Sequence, residues 1–131
     1  MLNKIIVLNL ALLITHQIDA AYWHEWDMFA LPGGIQFFNS LNLLIFLVAL
    51  GCFVPVIQRK PHGFCLSLMI AATGALVLPI HASFALAAFT QFHLPLSIFV
   101  IVFTFLVSVT QVFFTFKSRH EFDAASRSAP R

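Results

Sequence analysis

Charge is scarce in this chain. Lys, Arg, Asp and Glu make up 9% of its 131 residues, where a soluble globular domain carries about 25%. With 60% hydrophobic residues, there is too little polarity to solvate the outside of a folded core, and the composition is that of an integral membrane protein. The net charge of +2 leaves no basic surface suited to nucleic acid. Cysteine is nearly absent too: Cys52 and Cys65 fit neither a CxxC nor a metal-ligand spacing. Arg59 and Lys60 between them place both thiols near cytoplasmic helix ends, where a disulfide rarely persists. There is no HExxH, and six histidines are too few for the histidine boxes of membrane di-iron oxygenases.

Long apolar runs are what the chain does have. Four can be marked, at residues 5–29, 38–57, 64–87 and 94–116, each near the ~20 residues that cross a hydrocarbon core. Pro32, Gly33 and Gly34 separate the first two, the polar stretch 58–63 the next two, and the stretch 90–95 the last two. The expectation is an all-α polytopic membrane protein, a bundle of four transmembrane helices forming a single domain over residues 1–131. Residues 117–131 read as a flexible cytoplasmic tail. Lys4, Arg59, Lys60, Lys117 and Arg119 fall at the N-terminus, the second connection and the tail, while the first and third connections lack Lys and Arg. By the positive-inside rule both termini then face the cytoplasm, in a bacterial inner membrane. A cleaved signal peptide is the rival: Lys4, the apolar core 5–14 and Ile18-Asp19-Ala20 before Ala21 resemble its three regions. Ile at the minus-three position fits it poorly.

Three of the five acidic residues, Asp19, Glu25 and Asp27, lie together with His16 and His24 at the end of the first segment. An ionisable group near mid-bilayer costs about 2.5–3.5 kcal/mol on insertion scales, so it is read as functional by default. If the first helix continues through residue 29, a turn of about 100° per residue puts His16, Asp19, His24 and Asp27 on one broad face and Glu25 roughly opposite. At about 1.5 Å of rise per residue, His81 on the third segment reaches the level of residues 22–24. His16, Asp19, His24, Asp27 and His81 are therefore the candidate ligand or proton-binding residues. Gln36, Asn39 and Asn42, three apart on the second segment, are candidates to support them.

A His-Asp pair one turn apart can form a couple in which carboxylate orients imidazole. His16, Asp19 and His81 would supply N/O ligands for a divalent ion such as Zn, Fe or Mn. The same atoms suit a proton or a small polar ligand. A third reading is a buried hydrogen-bonded pair that fixes helix packing, each bond contributing about 0.6–2 kcal/mol. Beyond binding, two functions stay open: an acid/base enzyme acting on a lipid-like substrate, which needs apolar access from the bilayer, and a non-catalytic accessory subunit of a membrane complex. The partners expected are the lipid bilayer, a small ligand or another membrane protein. Tyr22, Trp23, Trp26, Phe29, Phe37 and Phe38 read as an outer aromatic belt. Ser67, Ala71 and Ala75, with Gly74 beside them, form a ridge of small residues for close helix approach.

The string from His16 through Gln17, Ile18, Asp19, Ala20, Ala21, Tyr22, Trp23, His24, Glu25 and Trp26 to Phe29, followed by Leu31-Pro32-Gly33-Gly34-Ile35-Gln36, resembles the signature of a small bacterial four-helix membrane family known only as a domain of unknown function. The resemblance implies an uncleaved first helix and a multi-pass fold, and, with no activity assigned to the family, it carries no catalytic residues over. A looser likeness, to small membrane proteins with an HxxEE motif, sets Asp19 and Ala20 where two Glu stand.

Overall fold

The computed structural model describes residues 1–128, with side chains through residue 124. Its helices are α1 (Leu2–Tyr22), α2 (Glu25–Met28), α3 (Gly34–Ile57), α4 (Gly63–Leu86), α5 (Pro95–Lys117) and α6 (Arg119–Ser128), and no strand occurs among the described residues. The long four, α1, α3, α4 and α5, have 21 to 24 residues, or about 31–36 Å at 1.5 Å per residue. All four are long and apolar enough to cross a membrane.

Two features differ from the sequence expectation, and the first bears on the site. The first apolar run is not one helix to residue 29. It ends at Tyr22, His24 adopts a left-handed φ of 55°, and the single turn of α2 begins at Glu25. A hydropathy profile does not place that break, because aromatic and apolar residues are interleaved with His24, Glu25 and Asp27 across it. The second difference is the tail. Arg119–Ser128 is helical, with Phe122 only 1% exposed and Glu121 paired with Arg59; residues 129–131 lie outside the described part. The helix α3 starts at Gly34, before the apolar run marked from residue 38, with Gly33 and Gly34 at φ of 90° and 57° in the connection that precedes it, where a Cβ would be strained. Pro95 opens α5, where its missing N–H is no loss.

The helices pack as α1 against α5, α5 against α4 and α4 against α3, with α3 and α1 in lighter contact. Leu2, Ile6, Val56, Ile70 and Phe122 form an apolar cluster at one end, which therefore gathers the N-terminus, the α3–α4 connection and α6. Leu13, Trp26, Phe38, Val77, Phe92 and Ile101 form a second cluster toward the other end. Trp26 and Phe38 thus belong to the core and not to an outer belt; Tyr22, Phe29 and Phe37 are exposed and Trp23 is half-buried.

A polar knot lies among α1, α4 and α5 toward the first cluster. Asn9 Nδ2 donates to Gln111 Oε1 at 2.7 Å, Gln111 Nε2 to the Ser67 carbonyl at 2.8 Å and Ser108 Oγ to Asn9 Oδ1 at 3.1 Å. Ser67 and Thr115 share a further bond of 2.7 Å. The ridge of small residues makes this approach feasible: Ser67, Ala71 and Gly74 are buried, and a Cβ at Gly74 would collide with Ser108 Oγ and sit 2.9 Å from Asn9 Oδ1.

Candidate metal centre

The break after Tyr22 determines which acidic residue reaches the interior. Extrapolated as a helix, Glu25 would face away from His16. With His24 in a left-handed turn the chain doubles back, and Glu25 is buried at 5% exposure while its neighbours His24 and Asp27 are exposed. This corrects the expectation that His24 and Asp27 face the pocket beside His16. His24 stacks on Trp26 with ring centroids 4.8 Å apart, and its carbonyl accepts the Asp27 N–H.

His16 of α1, Glu25 of α2 and His81 of α4 come together, each buried, with one potential ligand atom apiece all within 4.8 Å of one another. Glu25 Oε1 is 3.6 Å from His81 Nε2, and the two imidazoles meet edge to face at 4.9 Å between centroids. His81 Nδ1 lies 2.9 Å from the Val77 carbonyl, one turn back. A carbonyl only accepts, so Nδ1 carries the proton and Nε2 presents its lone pair to the cluster. That is the arrangement in which histidines bind metals, the other ring nitrogen being held by a carbonyl or carboxylate. His81 Nε2 and His16 Nδ1 are buried and have no hydrogen-bond partner. A buried polar atom without a partner costs about 1–3 kcal/mol.

Glu25 lies outside the four spans. Burial, and secondarily the negative charge of Asp19, push its carboxyl from 4.5 up to about 7. Two orphaned imidazole nitrogens and a carboxyl that resists ionisation form a donor set that a divalent cation would satisfy. The residues fit the ion in type. Bonds of about 2.0–2.2 Å in tetrahedral N/O sites imply ligand atoms about 3.3 Å apart, so side-chain closure by up to about 1.5 Å from the 4.8 Å limit would be required.

Asp19 was expected beside His16 and His81 as a ligand, and the cluster of donor atoms holds Glu25 with the two histidines. It makes no couple with His16: its Oδ1 accepts from Ser97 Oγ at 3.0 Å, and Ser97 in turn accepts from Trp23 Nε1 at 3.1 Å. Asp19 Oδ2 is buried and unpartnered. The carboxylate is therefore tied to α5 by one oxygen while contributing charge to Glu25 and His81. Of the three amides on α3, Asn42 alone is buried, lining a cavity of about 290 Å³ with Gln17, Thr73, Glu25 and both histidines; Gln36 and Asn39 are exposed.

Phe92 completes the enclosure. In the α4–α5 connection it adopts a left-handed φ of 61° and is 6% exposed, its ring 4.3 Å from that of His81 and 6.0 Å from those of His16 and Trp23. Neither Phe92 nor Glu25 was legible as a site residue, because each is turned inward by a left-handed backbone that no periodicity reports. Cys52 and Cys65 are free thiols away from this cluster.

Comparison with curated proteins and with solved structures finds no match. One family model does match, over residues 2–118, nearly the whole described chain and all four long helices. The chain therefore belongs to the family of unknown function DUF6713.

Proposed function

We propose that this is a metal-binding membrane protein whose centre is His16, Glu25 and His81, with an open coordination position toward the Asn42 cavity. The observation that carries this reading is the convergence of ligand atoms from the buried His16, Glu25 and His81, with an imidazole nitrogen of each histidine left without a hydrogen-bond partner. Two histidines and one carboxylate are the ligands of open zinc sites and of the facial triad of non-haem iron, so Zn and Fe are favoured, with Mn next. A bound divalent ion would supply Lewis acidity at that open position. The chain's residues do the rest: Val77 fixes the His81 tautomer, Phe92 excludes water, and Asp19 offers an unpartnered oxygen as proton acceptor. Asp19 thus acts beside the ion and not as its ligand.

The orientation we favour has both termini in the cytoplasm of a bacterial inner membrane, supported by the gathering of Lys4, Arg59, Lys60, Lys117 and Arg119 at one end. A second reading, a proton-binding site without metal, is favoured by the Glu25 carboxyl near 7 beside His81.

Elemental analysis of the purified protein and its variants separates the two. Near-stoichiometric Zn, Fe or Mn is expected, lost in His16→Ala, His81→Ala and Glu25→Gln and retained in Asp19→Asn and His24→Ala. Metal-free wild type after supplementation with each ion in turn would remove the metal reading and leave the proton site.

A further inference from the structure

Beside the polar cavity runs a larger one of about 330 Å³, among α1, α3 and α4. Its walls are apolar, including Leu10, Ile14, Leu44, Val48 and Met69, of which Ile14, Leu44, Val48 and Met69 are exposed on the hydrophobic surface of the helices. The two cavities adjoin, with Leu13, Gln17, Ile45 and Thr73 in the wall of both. The groove on the lipid-facing side of α3, between α1 and α4, thus abuts the cavity that holds His16, Glu25 and His81, with only the side chains of that shared wall between them. One end is oily and the other holds the donor set.

We infer that the ligand of this site is a long-chain amphiphile with a small, uncharged oxygen head, such as a primary alcohol or aldehyde, its tail in the α1–α3–α4 groove and its head at the metal centre. This rests on the metal-binding reading above. Charge selects the head. The carboxyl groups of Asp19 and Glu25 stand at this end, and every Lys and Arg lies near the other end of the helices or in the tail, so no side-chain cation is at hand for an anionic head. A phosphate or carboxylate head would leave an uncompensated buried negative charge, which is strongly unfavourable. A hydroxyl or carbonyl meets the ion through a lone pair and finds Asn42 and Gln17 as neutral hydrogen-bonding neighbours. The groove contributes geometry more than affinity, since a tail leaving lipid gains little from a wall as apolar as lipid itself.

The test uses the metal-loaded, full-length protein in phosphatidylcholine vesicles. Three photoprobes are compared: a long-chain primary alcohol with a mid-chain diazirine, the matching fatty acid, and a diazirine phosphatidylcholine. Labelling by the alcohol is expected to concentrate on Val48 and Met69 and to exceed labelling of the lipid-facing Phe99 and Phe113. Thr73→Phe, which places a ring in the wall common to both cavities, is expected to cut groove labelling about tenfold, the loss that about 1.4 kcal/mol of overpacking produces. Thr73→Ala should label like wild type, and Val48→Trp blocks the groove along α3 should Thr73→Phe fail to fold. Equal groove labelling by the fatty acid or the phospholipid, or indifference to both blocking variants, would overturn the inference. Metal content measured on the same samples keeps the two failures apart: metal present without selective labelling sinks the amphiphile alone, whereas metal absent sinks the reading beneath it.

Discussion

At the scale of single residues, Glu25 carries the proposed chemistry. Its carboxyl titrates near 7 in the folded, metal-free protein and near 4.5 when exposed. Between those values the folded chain holds a proton that the unfolded chain releases, so unfolding is favoured as pH rises. The stability in question is fully present below about 4.5 and is lost by about 7, a change of up to about 3 kcal/mol. Compared with Glu25→Gln, in which His16 and His81 are unchanged, the metal-free wild type in detergent is therefore expected to lose more melting temperature, or gain less, between about pH 5 and about pH 8. An unchanged pH dependence in Glu25→Gln would mean that another group is responsible. Saturating Zn should restore the melting temperature at the higher pH, because it binds only the deprotonated site. His16 and His81 were readable from sequence by depth arithmetic, since both sit in regular helix where rise per residue is fixed. Glu25 was not, because a single left-handed residue before it reverses where its side chain points.

At the scale of elements, two backbone features control what the helices can bring together. The first is the turn between α1 and α2. A left-handed non-glycine residue is disfavoured by about 1–2 kcal/mol, and His24 makes no side-chain contribution to the cluster. His24→Gly should raise stability by up to about that amount while leaving metal content intact; loss of metal would show instead that the His24 ring belongs to the site. The second is Gly74. Alanine there gains about 1 kcal/mol of helix propensity but drives its methyl into Ser108 and Asn9, an overpacking that costs about 1–3 kcal/mol. Gly74→Ala is expected to destabilise, and Ser108→Ala in the same chain to recover part of the loss, measured by melting in detergent. Four apolar helices of spanning length were legible because hydropathy accumulates over some twenty residues. The Asn9 knot was less so: Gln111 and Ser67 could be noticed, but what each side chain bonds to depends on the register between α1, α4 and α5.

At the scale of the whole molecule, the up-and-down arrangement puts the two ends to different uses. The end that gathers Leu2, Val56 and Phe122 also carries the basic residues and the Arg59–Glu121 pair, while the other end folds α2 and the Phe92 connection over the cluster of His16, Glu25 and His81. If the basic end is cytoplasmic, the metal centre lies in the outer half of the bilayer and receives its ion from the outer side. Orientation can be read with single cysteines in a chain carrying Cys52→Ser and Cys65→Ser. Gln36→Cys, exposed in the first turn of α3, should react with a membrane-impermeant maleimide in intact cells, and His62→Cys, exposed at the α3–α4 connection, only in inverted vesicles. The opposite pattern would reverse the orientation while leaving the ligand set untouched, and would move the supply of metal to the cytoplasmic pool.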